Sequence, residues 1–153
     1  MRYSNLFGAV IEDALTAGTT VRFRAEGSSM YPTIRDGEAI TVAAIVTADV
    51  VRGDVLLCRH DARMVAHRVV EVTTRGGDRF FELRGDSKAG CDMLVGAQAI
   101  VGRITGVRRN GRVLRLSGRA ARIRHAARAA GSQIKRRIMP VATALFGVSS
   151  RPS

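Results

Sequence analysis

The stretch VRFRAEGSSMYPTI occupies residues 21–34 and decides the fold prediction, because it joins a strand pattern directly to a serine-containing turn. From Val21 to Glu26, apolar and charged residues alternate with the period of a strand that buries one face. The sequence Gly-Ser-Ser then breaks this pattern at residues 27–29. We therefore predict a strand that leads straight into a turn carrying Ser29.

Similar strand patterns recur through the middle of the chain, with turn pairs such as Asp36-Gly37 and Gly53-Asp54 between them. Asn110-Gly111 is the strongest hairpin signal, because a type I′ turn needs a positive φ at both central residues. We expect this hairpin to close the core of a mainly β protein. The predicted strands are Ala39–Val46, Val55–Cys58, Met64–Val72, Arg79–Leu83, Ala99–Val107 and Arg112–Leu116.

Helical patterns flank this β-rich region. Near the N-terminus, apolar residues recur at helical spacing, and Gly18 provides a stop signal. Beyond Gly118, an apolar stripe is interspersed with arginines, which predicts a basic amphipathic helix. We therefore divide the chain into an N-terminal amphipathic helix at 1–18, a β-rich domain at 19–117 and a basic C-terminal helix or tail at 118–153.

The formal net charge of +12 is concentrated at one end of the chain. Residues 1–92 carry 12 Lys and Arg against 13 Asp and Glu, whereas residues 93–153 carry 13 Lys and Arg and no acid. Such a tail can lie on an anionic membrane surface, although a solvated helix packed on the sheet is the alternative. Nucleic-acid binding is disfavoured, because the arginine-rich residues 119–137 include no Phe, Tyr or Trp for base stacking.

The cysteines and the hydropathy exclude several protein classes. Cys58 and Cys91 are too few for a disulfide framework, and they lack the paired spacing of a zinc site. The sequence therefore predicts neither a metal nor a cofactor. No apolar run approaches the roughly 18–20 residues of a membrane-spanning helix, and the N-terminal residues include acids that a signal peptide excludes. We expect the protein to remain in the cytoplasm.

Three separated segments contain the groups that acyl transfer needs. Ser29 supplies a hydroxyl, which is a weak nucleophile until a base removes its proton. His67 supplies an imidazole, whose ordinary pKa of about 6.5 suits that role at neutral pH. Asp86 and Asp92 supply carboxylates, and one of these could fix the tautomer of the imidazole. Each residue alone has an ordinary structural interpretation, so the prediction depends on their order and spacing.

This order resembles the superfamily of type I signal peptidases and SOS-repressor peptidases, whose nucleophile lies in a Ser-Met-x-Pro motif after a strand. Here the motif reads Ser29-Met30-Tyr31-Pro32. The segments RDGEAITV at 35–42 and RGDVLL at 52–57 look like the turn-and-strand segments that follow in the family. The resemblance implies a coiled β-sheet or barrel core.

In most bacterial members the base is a lysine just before an Arg-Val pair, and here that position is His67. This pattern is similar to the endoplasmic-reticulum and archaeal branch, which uses a Ser-His centre. In that branch a Gly-Asp pair precedes a further aspartate and an Ile-Val-Gly strand, as do Gly85-Asp86, Asp92 and the strand at 100–102. The resemblance favours Asp92 for orienting His67 and gives Asp86 a structural or auxiliary role, but the choice stays open.

The resemblance implies a serine endopeptidase that cleaves a polypeptide substrate after small residues. Ser29 would attack the peptide carbonyl, while His67 would accept the proton and then return it. Backbone N–H groups near the nucleophile would bind the oxyanion. The predicted substrate- and oxyanion-binding residues are therefore Gly27, Ser28, Met30 and Pro32.

Two alternatives keep the fold but change the function. One is a self-cleaving regulatory protein similar to the SOS repressors, with Ala17-Gly18 as a small-residue cleavage site. The other is a catalytically silent binding module. The chain shows no apolar anchor like that of true signal peptidases, so we expect a substrate in the cytoplasm or at the inner face of the membrane. The sequence predicts no particular oligomeric state.

Overall fold

The protein is described by a computed structural model, which covers residues 5–61, 63–87 and 92–117. The predicted basic helix at 118–153 lies outside the described residues. Short 3₁₀ turns occur at Thr47–Asp49 and Ala97–Ala99. The other elements are α1 (Asn5–Thr16), β1 (Val21–Arg24), β2 (Ala39–Ala43), β3 (Val55–His60), β4 (Arg63–Arg75), β5 (Asp78–Arg84), β6 (Asp92–Gly96), β7 (Ile100–Arg109) and β8 (Arg112–Arg115).

The strands form one antiparallel sheet in the order β1-β2-β7-β3-β4-β5-β6, with β8 paired to β7. Strand β4 is long enough to pair with two strands in succession, with β3 through residues 63–68 and with β5 through residues 68–75. The sheet curls into a half-barrel. The predicted mainly β class is therefore confirmed.

Apolar residues are buried on both faces of the central strand β3. On one face, Leu57 belongs to a first core cluster that includes Ile11 and Leu15 of α1. On the other face, Leu56 and Cys58 belong to a second core cluster, which is built mainly from β3, β4 and β5. Burial raises the pKa of the Cys58 thiol to about 12, so this cysteine is an unreactive core residue.

The N-terminal helix ends at the glycine that the sequence marks as a stop. Gly18 has a φ of 78°, a conformation that side chains with a Cβ disfavour. Its N–H donates to the carbonyl of Leu15 at 3.0 Å, and the N–H of Thr19 donates to the carbonyl of Ala14 at 3.0 Å. These bonds satisfy carbonyls that would otherwise be left open at a helix end, so α1 stops here.

The Asn110-Gly111 hairpin is confirmed, but its role differs from the prediction. Both residues have positive φ, 50° and 74°, as a type I′ turn requires. All four residues of β8 are exposed, however, and among the described strands β8 pairs only with β7. The hairpin therefore adds an edge strand and does not close the core.

Strands β6 and β2 differ from the sequence prediction. Strand β6, Asp92–Gly96, is not among the predicted strands, because its short pattern contains only three apolar residues in a row. Strand β2 ends at Ala43 and not at Val46, since the chain turns into the 3₁₀ segment. Arg79 holds that segment by donating to the carbonyls of Thr47 and Val50 at 2.6 and 3.0 Å. This tertiary contact has no local sequence signal.

Candidate active site

The loop at residues 27–34, here called the serine loop, is fastened to the rest of the protein on both sides of Ser29. The N–H of Gly27 donates to Oδ1 of Asp36 at 2.7 Å. After Ser29, the side chains of Met30 and Ile34 are buried in the first core cluster. Ser29 itself is half-buried between these two attachments. The loop therefore presents Ser29 from a fixed backbone, as a nucleophile requires.

The turn at residues 85–87 is the structural partner of the serine loop. The N–H of Ser87 donates to the carbonyl of Ser29 at 2.9 Å. The carboxylate of Asp86 accepts a hydrogen bond from the hydroxyl of Thr33, further along the serine loop. The Oγ of Ser87 is buried and has no hydrogen-bond partner among the described residues. Two chain segments that are more than fifty residues apart in sequence thus meet beside Ser29.

Arg68 of β4 joins the same turn through a buried ion pair. Its Nε and Nη2 donate to the two carboxylate oxygens of Asp86 at 2.8 and 2.6 Å. Its Nη1 donates to the carbonyl of Gly53 at 2.8 Å. The side chains of Arg68 and Asp86 are only 5% and 8% exposed, so each charge depends on the other for compensation.

His67 lies at the point where the ladder between β4 and β5 ends. The last pair of that ladder is Arg68 with Arg84, so His67 is the first residue of β4 beyond the ladder, and the turn at 85–87 starts directly after Arg84. On β3, His67 faces Leu56 and shares the face of the second core cluster, whereas Arg68 points to the serine loop. The His67 side chain therefore lies on the side of β4 opposite to the side that contacts the serine loop, close to the strand end from which the turn at 85–87 starts.

The environment of His67 favours the neutral imidazole. Its side chain is 2% exposed, and Nδ1 has no hydrogen-bond partner in the described part of the chain. Burial lowers the pKa of His67 below its ordinary value, and the negative charges of Asp86 and, more weakly, Asp92 oppose this shift only in part. A neutral imidazole at physiological pH is a proton acceptor, which a general base must be.

Neither predicted carboxylate forms a hydrogen bond with His67. Asp92 begins β6, lies opposite Arg84 and accepts a hydrogen bond from its Nη2 at 2.7 Å. The guanidinium of Arg84 lowers the pKa of Asp92, whose side chain is half exposed to solvent. Asp86 is held by Arg68. The structure thus brings Ser29 and Asp86 together at one turn, places His67 on the neighbouring strand β4 with its side chain on the other face, and places Asp92 in an ion pair with Arg84.

The predicted oxyanion-binding residues differ in whether they have a backbone N–H that is available to an oxyanion. The N–H of Gly27 is occupied by Asp36, and Pro32 has no N–H to donate. The carbonyl of Ser28 accepts a hydrogen bond from the N–H of Tyr31 at 3.0 Å, and the N–H of Ser28 takes no part in this bond. Within the described residues, the N–H groups of Ser28, Ser29 and Met30 make no hydrogen bond to protein atoms. These three N–H groups are therefore the donors in this loop that no described protein atom occupies.

Sequence reasoning missed the residues that brace the serine loop. The sequence indicates Arg68 only as the first residue of the Arg-Val pair after His67, and it does not indicate the ion pair with Asp86. On the opposite side of the loop, Arg109 pairs with Glu38 and donates through Nη2 to the carbonyls of Pro32 and Thr33, each at 3.2 Å. Both arginines interact with residues distant in sequence, so local patterns give no signal for them.

The lowered pKa of His67 predicts a pH dependence of stability. We expect the free energy of unfolding to fall as the pH drops below about 6.5, because His67 then takes up a proton more readily in the unfolded chain. Urea denaturation at pH 5.5 and 7.5 measures this loss. The loss in the free energy of unfolding between pH 7.5 and pH 5.5 should be smaller in His67→Gln. It should be unchanged in His60→Gln, which alters an exposed histidine. An unchanged loss in His67→Gln would contradict the buried neutral state.

Other sites in the described residues offer less. No group of three or more His, Cys, Asp or Glu could ligate a metal there, and no described helix is long and apolar enough to cross a membrane. A shallow cleft of about 640 Å³ lies along β4 and β5 and includes Arg84, but neither Ser29 nor His67 lines it. No protein-family model matches the chain, and no curated protein sequence matches it.

Proposed function

We propose that the protein is a serine endopeptidase of the signal-peptidase type, with Ser29 as nucleophile and His67 as general base. One observation carries the proposal. The serine loop contacts the turn at 85–87, and this turn starts where the β4–β5 ladder ends, one residue along β4 from His67. Segments that resemble three separate boxes of one peptidase family therefore meet at a single place in the fold.

The chemistry follows from the groups present. Ser29 Oγ attacks the carbonyl carbon of a peptide bond as His67 takes its proton, and a tetrahedral oxyanion forms. The N–H groups of Ser28, Ser29 and Met30 are the available donors for that oxyanion. His67 then returns the proton to the leaving amine, which breaks the C–N bond and leaves an acyl-enzyme. Water, activated by His67, hydrolyses the ester and restores Ser29.

The carboxylates take roles other than a direct bond to the imidazole. Asp86 raises the pKa of His67 through its negative charge, so it stabilises the imidazolium that forms during the reaction. Its bonds to Arg68 and Thr33 also fix the serine loop against β4. Asp92 acts on His67 only through its charge. The proposal is therefore a Ser-His centre oriented mainly by packing, with Asp86 as a positioning residue.

No hydrogen bond joins Ser29 to His67 in the structure. Catalytic hydrogen bonds are often long in a free enzyme and shorten when substrate binds.

Self-cleavage at Ala17-Gly18 remains the second prediction for the same centre, since both residues are exposed after the end of α1. Its mark would be a shorter product that appears at a rate independent of protein concentration.

A serine-directed fluorophosphonate probe tests the proposal. We expect one phosphonyl group to be added per chain, and peptide mapping by tandem mass spectrometry should place it on Ser29. Ser28 and Ser87 are internal controls, because they lie next to Ser29 in sequence or in space. Denatured protein should remain unlabelled. Absence of labelling at Ser29 in the folded protein would remove the proposal.

A further inference from the structure

One face of the sheet carries four arginines, and it lies opposite to the face that holds the serine loop. Strands β1, β2, β7 and β8 are neighbours, and residues paired across adjacent strands project to the same side. Gly106 confirms this arrangement, since a Cβ built on it would meet Cγ1 of Val113 at 3.1 Å. The two paired rows are Arg24, Ala39, Arg108 and Val113, and Arg22, Thr41, Gly106 and Arg115.

This arginine face, defined by Arg22, Arg24, Arg108 and Arg115, is a compact region of positive charge. All four arginines are exposed. Strands lie about 4.8 Å apart, so the arginines of one row are separated by roughly 10–15 Å at the backbone. Arg22 and Arg24 are two residues apart on β1, which is roughly 7 Å and therefore within the Debye length of about 8 Å at physiological salt. None of the eight residues in the two rows is acidic, and Glu26, the next residue in the alternation of β1, lies beyond the end of that strand.

The centre of the arginine face is small and apolar. Ala39, Thr41 and Gly106 leave it without long side chains, and Val113 is 57% exposed. Three of the arginines lie at ends of the two rows, Arg108 lies within one row, and the exposed Val113 ends that row on β8. This combination of positive charge and an exposed apolar residue suits an extended anionic surface. The hydrocarbon parts of the arginines can approach the interface while their charged ends meet phosphate groups.

We propose that the arginine face docks on the surface of an anionic phospholipid bilayer. The basic residues 118–153 and a second copy of the same face are unsuitable occupants, because both carry like charge. Nucleic acid fits less well, since none of the eight residues is aromatic and able to stack on a base. The headgroups of an anionic phospholipid bilayer supply the negative charge, and its acyl chains supply an apolar layer for Val113.

Docking through this face leaves the candidate active site open. Arg109 follows Arg108 along β7, so its side chain projects to the opposite side, where it contacts the serine loop. The bilayer and the serine loop would therefore lie on opposite sides of β7. The docking proposal does not depend on peptidase activity, because it concerns a surface that contains no residue of the Ser-His centre.

Vesicle co-sedimentation of the full chain tests this proposal. The vesicles are phosphatidylcholine alone or phosphatidylcholine with 30 mol% phosphatidylserine, at physiological salt. The patch variant is Arg22→Gln with Arg108→Gln, and the control variant is Arg52→Gln with Arg63→Gln. Both pairs are exposed and remove the same net charge. We expect the patch variant to partition about 25-fold less onto the anionic vesicles, roughly fivefold for each arginine at the surface.

The control pair should change the partition by less than about threefold, because charges beyond a Debye length from the bilayer contribute little. Equal losses in the two variants would overturn the proposal in favour of net charge alone. Unchanged binding of the patch variant would also overturn it, as would equal binding of the wild type to neutral vesicles. If the patch variant lost affinity only for a labelled DNA duplex, the arginine face would be a nucleic-acid surface instead.

Discussion

Replacing Ser29 by alanine is expected to reduce peptide cleavage by about 10³-fold or more. The reaction is acyl transfer to the Ser29 hydroxyl, and alanine has no atom that can form the ester. The substrates are peptides with an Ala-x-Ala sequence, and the products are identified by mass spectrometry. The small change in volume at a half-buried loop position should leave the unfolding transition close to that of the wild type.

Ser28→Ala is the matched control for this variant. It removes the same hydroxyl one residue earlier in the same loop, where the side chain is exposed. We expect Ser28→Ala to retain activity within about tenfold, because its backbone N–H, not its hydroxyl, is available to the oxyanion. Equal and complete inactivation of both variants would indicate that the loop matters through its structure, and the nucleophile would then have to be sought elsewhere.

Replacing Asp86 by asparagine is expected to lower the free energy of unfolding by about 3–5 kcal/mol. The change removes the negative charge that compensates Arg68, whose side chain is 5% exposed and donates to both carboxylate oxygens. An unpaired buried guanidinium is unfavourable, so the loss should exceed the value of an ordinary hydrogen bond. Urea denaturation of the wild type and of Asp86→Asn, both at pH 7.5, measures this difference in the free energy of unfolding.

The double variant Arg68→Met with Asp86→Leu separates charge compensation from other effects. Replacing both partners by apolar residues of similar size should recover most of the lost stability, since no unpaired buried charge remains. Asp92→Asn is the second control, because its ion pair with Arg84 is half exposed and screened by solvent. If Asp92→Asn lost as much unfolding free energy as Asp86→Asn, this would contradict the conclusion that Asp86 compensates the buried charge of Arg68.

The fold was predictable where the signal was local. Alternation from Val21 to Glu26 gave β1, and the pair Asn110-Gly111 gave the last hairpin, because turn geometry and strand period depend on neighbouring residues. Strand β6 could not be predicted, because it is stabilised by its pairing with β5. Strand β4 was predicted from 64 to 72 but runs to Arg75, since the ladder with β5 extends it.

The candidate site was predictable in its residue types but not in its connections. The motif around Ser29 and the histidine in β4 identify two of the segments on which the proposal depends. The family resemblance favoured Asp92 over Asp86 as a partner of His67. In the structure, Asp92 pairs with Arg84 and Asp86 pairs with Arg68. Ion-pair partners depend on which strands become neighbours and on which face each side chain lies. Sequence order alone does not contain this information.

The rate at which the fluorophosphonate probe acylates Ser29, compared between wild type and His67→Gln at pH 7.5, tests the central claim most directly. If His67 is the general base, the second-order rate constant should fall by about 10²- to 10⁴-fold in His67→Gln. The exposed His60→Gln variant should react at the wild-type rate. Equal rates of Ser29 labelling in wild type and folded His67→Gln would contradict the Ser-His centre.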